Sequence, residues 1–220
     1  MTDRKLGTLA VHAGEGETLA VPSTTTPVYL ATTYRFSSAA EAAAYLEAPA
    51  GRWLYARLEN PTVVAAERKI AALEGAEAAA CFGSGMAAMT AALLASLRSG
   101  DALLLCDTLY GQTTRLARDV LERFGVEIRT VPLDGLAAAV ESAPANARAL
   151  VFESPTNPTL RVVDVPAVAA ACRRRAIRSV LDATFASPVN LRALPLGVED
   201  RKSTRLNSSH RSLSRMPSSA

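Results

Sequence analysis

From residue 78 onward, the sequence alternates between short apolar runs and longer segments of helical periodicity. Strands are predicted at 78–82, 102–106, 126–131, 149–153 and 179–182, and helices at 86–97, 113–124, 136–142 and 165–175. A crossover helix after each strand brings the next strand back in parallel and covers one face of the sheet. The predicted fold class is therefore α/β, with a mostly parallel sheet and helices on both faces.

The helix predicted at 113–124 illustrates how these segments are amphipathic. Its apolar side chains, Leu116, Val120, Leu121 and Phe124, line one stripe, and charged side chains occupy the opposite face. We expect the stripe to pack against the sheet.

Residues 1–50 lack this alternation. The Pro- and Thr-rich run 21–29 is too irregular for a helix, so the sequence predicts an N-terminal arm over 1–50, with a helix at 39–46. A larger domain is predicted over 51–200, and an early helix at 62–73 lies between Pro61 and Gly75.

The composition changes abruptly after residue 200. Residues 201–220 contain seven serines, five basic residues and no acidic residue, and they show no apolar period. We expect a disordered tail of non-native origin, such as adapter or frameshifted sequence. Without these five basic residues, 19 of the 24 remain against 21 acidic residues, so the tail causes the net charge of +3. The body gives no reason to expect a nucleic-acid partner.

Neither a membrane segment nor a metal site is predicted. The apolar runs are too short to span a bilayer, and the N-terminus has no signal-peptide pattern, so we expect a cytoplasmic protein. The three cysteines, Cys81, Cys106 and Cys172, lack metal-ligand spacing and lie in or beside apolar segments. They are predicted to be small buried core residues.

The turn Gly83-Ser84-Gly85-Met86 separates a predicted strand from a predicted helix. The first amides of that helix and the positive end of its dipole would face the turn, where an anion such as a phosphate is favoured. The alternative is an ordinary strand-to-helix connection that needs glycine for a positive φ.

Chemically distinctive side chains follow the other predicted strands. Tyr110, Asn157 and Asp182 come after the strands at 102–106, 149–153 and 179–182, and ligands of open α/β sheets bind beyond the carboxyl ends of strands. An anion cradle, an aromatic ring, an amide and a carboxylate suit a phosphorylated aromatic cation such as pyridoxal 5′-phosphate. Simpler explanations exist, since a tyrosine commonly packs and an aspartate commonly caps a turn.

Five short motifs follow one another along the chain. They are Tyr55-Ala56-Arg57-Leu58-Glu59-Asn60-Pro61-Thr62, Ser84-Gly85-Met86, Leu109-Tyr110-Gly111, Glu153-Ser154-Pro155-Thr156-Asn157-Pro158 and Leu181-Asp182-Ala183-Thr184-Phe185-Ala186-Ser187-Pro188. Together they resemble the Cys/Met-metabolism family of pyridoxal-phosphate enzymes, which includes cystathionine γ-synthase, cystathionine β- and γ-lyases, methionine γ-lyase and O-acetylhomoserine sulfhydrylase. The resemblance implies the incomplete large domain of a fold-type-I enzyme of transsulfuration.

The resemblance also implies roles for the site residues. Tyr110 would stack on the cofactor ring and assist proton transfer as a catalytic residue, Asn157 would contact the ring oxygen, and Asp182 would pair with the ring nitrogen. The backbone amides of the helix start would bind the cofactor phosphate. The complete implied set for pyridoxal 5′-phosphate is Tyr55, Arg57, Ser84, Gly85, Met86, Tyr110, Asn157, Asp182 and Thr184.

Two of these residues imply a partner of the same kind. Tyr55 and Arg57 would reach into the site of a neighbouring subunit and bind its cofactor phosphate, which suits the donors of a guanidinium. The resemblance thus implies a homo-oligomer, a dimer of dimers or homotetramer, that acts on an amino-acid substrate. The alternative for Arg57 is a surface ion pair with Glu59 or Glu67.

The lysine that holds the cofactor in this family is missing from its expected place. The resemblance puts it in a Ser-x-Thr-Lys setting shortly after the strand that follows Pro195-Leu196-Gly197, but the sequence has only Lys5, Lys69 and Lys202, and none has that setting. We therefore expect a truncated, inactive N-terminal part of an enzyme for β- or γ-elimination or replacement on sulfur amino acids or O-acylated homoserine.

Two other classes of function stay open. One is a non-catalytic fragment that binds the cofactor or associates with other subunits. The other is a nicotinamide dehydrogenase on a similar sheet, which the sequence disfavours. Its glycine turn lacks a third spaced glycine, and Asp107 is the one acidic residue positioned after the second predicted strand.

Overall fold

A computed structural model describes residues 5–15, 23–48 and 53–202. The chain divides after Cys81 into two compact units. The sequence places the boundary near residue 50, whereas in the structure the helix that follows Pro61 groups with the arm. The long-range hydrogen bonds of Asn60 and Thr62 to the arm account for this grouping.

The described residues of the N-terminal unit form three helices, α1 (Leu6–His12), α2 (Ala39–Glu47) and α3 (Pro61–Glu74). The sequence predicted α2 and α3 but not α1, which packs against α3. An antiparallel pair of short extended segments joins residues 32–34 to residues 54–56 through the bonds Ala56 N to Thr32 O and Tyr34 N to Leu54 O, at 2.8 and 3.1 Å.

Helix α3 begins at Pro61 and ends before Gly75, as the sequence predicts. Asn60 is the N-cap, and its Oδ1 accepts from the amides of Thr62 and Val63, while its Nδ2 donates to the Tyr29 carbonyl and the Tyr34 hydroxyl. Pro61 occupies the first turn, and Gly75 ends the helix with a φ of 70°. One buried asparagine therefore both starts the helix and fastens the arm.

The C-terminal unit is built on a five-stranded parallel sheet. Its strands are β1 (Ala102–Cys106), β2 (Glu127–Val131), β3 (Ala147–Glu153), β4 (Arg178–Asp182) and β5 (Asp200–Lys202), in the spatial order β2-β1-β3-β4-β5. Each neighbouring pair is parallel. The predicted α/β class with a parallel sheet is confirmed.

Helices cover both faces of this sheet. On one face, α4 (Gly85–Ser96) and the helical segment after β1 pack on Leu103, Leu105 and Val151. On the other, α6 (Leu136–Glu141) and α7 (Val165–Arg174) pack on side chains such as Leu104 and Phe152. Fully burying an aliphatic or aromatic side chain stabilises the fold by about 1.5–3 kcal/mol, so the two layers hold the strands in register.

The predicted strand at 78–82 is wrong. These residues form no strand with any described part of the chain, and the amide of Cys81 donates to Glu67 Oε1 at 2.7 Å instead. Cys81 is exposed, contrary to the predicted core position, whereas Cys106 and Cys172 are buried as predicted. An apolar run forms a strand only where another strand offers it hydrogen bonds.

The helical segment after β1 changes geometry along its length. It begins as α5 (Gly111–Arg115), continues in a π-helical stretch (Leu116–Leu121) and ends in a 3₁₀ turn (Glu122–Phe124). Leu116 and Leu121 are buried as predicted, but Val120 is exposed and Phe124 is 66% exposed. The predicted four-residue stripe is therefore wrong in two positions.

Strand β5 extends past the boundary that the sequence placed at residue 200. Arg201 and Lys202 belong to it, and Arg201 also donates to the Ala186 carbonyl at 2.6 Å. The start of the predicted disordered tail is therefore ordered in the sheet, because backbone pairing with β4 depends little on side-chain type. Residues 203–220 lie outside the described residues.

Candidate cofactor site

The buried carboxylate of Glu153 connects two loops at the carboxyl edge of the sheet. Glu153 ends β3, and its Oε2 accepts a hydrogen bond from the backbone amide of Asn157 at 3.0 Å. The carboxylate also accepts from the backbone of Tyr110, in the loop after β1. The structure thus brings Tyr110 and Asn157, two of the predicted site residues, to one acidic group.

Burial is the main influence on Glu153. Desolvation raises its pKa to about 7, and the nearby Asp182 adds to this rise, while the two amides and Lys202 oppose it. In the sequence analysis, Glu153 is the first residue of one motif and has no predicted role. An acidic residue closing an otherwise apolar, buried strand was the signal that could have singled it out.

Asp182 lies next to Glu153 across the sheet. The two residues are partners in the parallel pairing of β3 and β4, and Asp182 is buried at the end of its strand. Its Oδ1 accepts from the amide and the hydroxyl of Thr184, at 3.1 and 2.6 Å. Asp182 does cap its own turn, which was the simpler explanation, but the cap uses only one of its two carboxylate oxygens.

That second oxygen, Oδ2, contacts Lys202. The Nζ of Lys202 lies 2.7 Å from it and 3.2 Å from Thr184 Oγ1. Asp182, Thr184 and Lys202 therefore form one hydrogen-bonded cluster. The sequence predicted the first two as site residues, but it did not place Lys202 beside them.

The start of α4 has the features of an anion cradle. Ser84 is the N-cap, and its Oγ accepts from the Ala87 amide at 3.0 Å. The amides of Gly85 and Met86 belong to the first turn, where a helix offers no carbonyl partner. Ser84 therefore contributes a cap that orients the turn, and the two amides are the groups that an anion would meet.

The glycines of this turn are not explained by backbone strain. Gly83 does not have the positive φ that the alternative interpretation required, and Gly85 is helical. A Cβ on Gly83 would meet no heavy atom within 4 Å, so packing within the chain does not require glycine there either. Close approach by a ligand remains as a physical reason for a glycine at this position.

Asp107, the candidate ribose ligand of a dehydrogenase, has a structural role. Its Oδ1 accepts from the Leu133 amide at 3.0 Å and from the Thr108 hydroxyl at 2.9 Å, which fastens the loops after β1 and β2 to each other. Both bonds use the same carboxylate oxygen, and they give Asp107 a task in holding the two loops together. The structure thus adds to the sequence argument against a nicotinamide site.

Tyr55 and Arg57 lie in the N-terminal unit. Arg57 is exposed, and its Cζ lies 4.5 Å from the centre of the Tyr55 ring, in a cation–π contact. Glu67, one of the two alternative ion-pair partners of the guanidinium, accepts the Cys81 amide through Oε1. The role of this pair in a cofactor site stays a prediction.

The described residues contain neither a cluster of metal ligands nor a membrane-spanning helix. Within those residues, no three His, Cys, Asp or Glu side chains gather in an arrangement that could hold a metal ion. None of the helices in the same parts of the chain has the length and apolar character needed to cross a membrane. The predicted cytoplasmic location stays a prediction.

Comparison with known sequences identifies the family. Residues 7–200 match the family described as Cys/Met metabolism PLP-dependent enzyme. The chain is 39% identical to cystathionine gamma-synthase 1, chloroplastic, of Arabidopsis thaliana, with 88% of this chain and 35% of the relative covered. It is 36% identical to L-methionine gamma-lyase of Fusobacterium nucleatum, with 88% and 49% covered.

The chain also matches solved structures. A putative O-acetylhomoserine (thiol)-lyase from Campylobacter jejuni, which carries a pyridoxyl-lysine phosphate, matches with a TM-score of 0.84 at 30% identity, over 92% of this chain and 50% of that one. Cystathionine gamma-lyase from Lactobacillus plantarum matches with a TM-score of 0.79 at 33% identity, over 89% and 49%. The chain spans about half the length of these proteins or less. It belongs to the Cys/Met-metabolism family of pyridoxal-phosphate-dependent enzymes.

Proposed function

We propose that this chain is the cofactor-binding part of an enzyme that carries out elimination or replacement on a sulfur amino acid or an O-acylated homoserine. One observation carries the proposal: the Glu153 carboxylate holds the loops of Tyr110 and Asn157 beside the buried Asp182. These are the aromatic, amide and acidic groups that pyridoxal phosphate requires, so the chemistry of the donor set fits the cofactor.

Each residue has a physical task in this proposal. When bound, pyridoxal phosphate supplies an electron sink for charge that develops on the substrate. The Gly85 and Met86 amides hold its phosphate at the positive end of α4. Asp182 keeps a positive charge at the ring nitrogen. Tyr110, whose side chain is 42% exposed, is free to lie on the ring and to exchange a proton with the substrate through its hydroxyl.

Glu153 acts through the two loops. Because its carboxylate accepts from the backbone of both, it fixes the separation between the tyrosine and the asparagine. It touches neither cofactor nor substrate in this proposal and is a positioning residue. We further propose that the chain does not complete the reaction by itself, since Lys5, Lys69 and Lys202 all lack the setting of the family's lysine.

The phosphate contact at α4 is tested by a charge that preserves the fold. In Ser84→Asp, the carboxylate caps the helix as well as serine does but stands where the phosphate would bind. We expect the Kd for pyridoxamine 5′-phosphate to rise at least tenfold, as measured by isothermal titration calorimetry, with little change in the Kd for pyridoxamine.

Ser38→Asp is the matched control. Ser38 caps α2 through the Glu41 amide at 3.1 Å, so this substitution also puts an aspartate at an N-cap, and we expect it to leave both constants unchanged. Binding of the phosphate ester with the same Kd in Ser84→Asp as in the wild type would contradict the proposal.

A second function, association with another subunit, is favoured by the surface of the N-terminal unit. Large apolar side chains are exposed there, among them Leu30, at 92%, Val28 and Leu58. We propose that this surface and Arg57 engage a second subunit of the family, with Arg57 directed to that subunit's phosphate. The chain would then form homo-oligomers or join those of an intact relative.

This association predicts a defined effect of Arg57→Ala. An intact relative loaded with cofactor should retain the wild-type chain in a pull-down, and we expect Arg57→Ala to reduce retention several-fold, because an ion-paired guanidinium at an interface is lost. Arg123→Ala removes an exposed arginine of the C-terminal unit and serves as the control. Equal retention of all three chains would refute the role of Arg57.

A further inference from the structure

The ion pair between Lys202 and Asp182 occupies the carboxyl end of β4 from within the chain. Lys202 Nζ lies 2.7 Å from Asp182 Oδ2, and the two side chains are 6% and 3% exposed. Because the ion pair is buried, dissolved salt screens the attraction between its two charges very little. The ammonium therefore has a fixed place against the carboxylate.

Backbone register sets this contact. Asp182 and Lys202 are partners in the parallel pairing of β4 with β5, so their side chains leave the sheet on the same face. Thr184 binds the other carboxylate oxygen through its amide and hydroxyl, which fixes the rotation of the carboxylate. Oδ2 is consequently turned towards Lys202.

A protonated pyridine and an ammonium group make the same demand on a carboxylate. Each brings one positive charge and an N–H donor. Nζ already lies 2.7 Å from Oδ2, so a ring nitrogen competes with it for this oxygen. An ammonium displaced from Oδ2 loses a buried counter-ion. Breaking a buried pair by removing one partner is strongly unfavourable, because a charge is left without compensation.

We propose that Lys202 takes the place of the cofactor's ring nitrogen on Asp182 and so competes with pyridoxal phosphate for this site. The proposal rests on the proposed function, in which Asp182 holds that nitrogen. It gives Lys202 a blocking role through its charge, without a covalent bond to the cofactor. In this proposal, Lys202 on β5 weakens cofactor binding, while the phosphate cradle at the start of α4 is intact.

The full chain carrying Lys202→Met tests the proposal. Methionine keeps much of the length of the side chain and removes the charge. The probe is pyridoxamine 5′-phosphate, which has no aldehyde and forms no adduct with surface lysines. We expect its Kd, measured by calorimetry, to fall at least tenfold relative to the wild type, whereas Lys202→Arg retains the charge and the weak binding.

A second measurement, the thermal midpoint, checks that the variants fold. Lys202→Met leaves Asp182 without its cation, so we expect a lower thermal midpoint that the ligand raises more than it raises the wild-type midpoint. Lys202→Met combined with Asp182→Asn removes both charges; it should fold, and it should lose the tight binding. A folded Lys202→Met chain that binds no more tightly than the wild type would overturn the proposal.

Two further outcomes separate this proposal from the proposed function. If pyridoxal phosphate and borohydride label Lys202 stoichiometrically in the wild-type chain, Lys202 is a covalent partner and the blocking role is wrong. If Ser84→Asp weakens binding but Lys202→Met does not tighten it, only the blocking role fails. If neither substitution changes binding, the assignment of the cofactor site fails with it.

Discussion

The carboxylate of Glu153 sits where a single side chain connects the parts of the candidate site. It accepts two backbone amides, and burial raises its pKa to about 7. The motif that contains Glu153 could be recognised in the sequence, but its contact with the two loops could not. An apolar strand pattern does not show which polar groups surround the end of the strand. That information depends on how the loops after β1 and β3 fold back.

Glu153 also predicts a pH dependence of stability. An unfolded glutamate releases its proton near pH 4.5, whereas the folded chain keeps it until about pH 7. The folded state therefore binds more protons in this window, and the free energy of unfolding falls as the pH rises through it. Glu153→Gln removes the ionisation, so we expect its stability to fall by about 2 kcal/mol less than that of the wild type between pH 5 and 8.

Urea denaturation at pH 5, 6, 7 and 8 measures this difference. Glu77→Gln, at an exposed position of the N-terminal unit, is the control and should follow the wild-type curve. Parallel curves for Glu153→Gln and the wild type would show that Glu153 does not hold a proton in the folded chain near neutral pH.

At the scale of elements, alternation of apolar and amphipathic segments predicts most strands and helices within one or two residues. This prediction fails where a strand needs another strand to pair with. The apolar run at 78–82 has strand composition, yet no described strand pairs with it. Local sequence reports whether a segment suits a strand, but pairing is a property of two segments.

The helical segment after β1 shows a second limit. A stripe at 3.6-residue spacing assumes regular α-helical geometry, but the π-helical stretch at Leu116–Leu121 has more residues in each turn. The stripe is then displaced around the axis, which brings Ala117 into the core and turns Phe124 towards water. Such a local change of period has no clear signature in a single sequence.

For the molecule as a whole, the parallel sheet was predictable from the sequence, and so was the grouping of the candidate residues at its carboxyl edge. Strand ends of a parallel sheet meet at one edge, so Tyr110, Asn157 and Asp182 could be grouped before any coordinates were known. The place of Lys202 could not, because its segment has a composition unlike the rest of the chain. Its contact follows from the register of β5, which is set by backbone pairing.

In the proposed site, pyridoxal phosphate binds with its phosphate at the start of α4 and its ring nitrogen at Asp182. A crystal structure of the Lys202→Met chain with pyridoxamine 5′-phosphate is the decisive test. We expect phosphate oxygens within hydrogen-bond distance of the Gly85 and Met86 amides, and the ring nitrogen within that distance of Asp182 Oδ2. A ligand bound elsewhere, or one whose nitrogen does not contact Asp182, would contradict it.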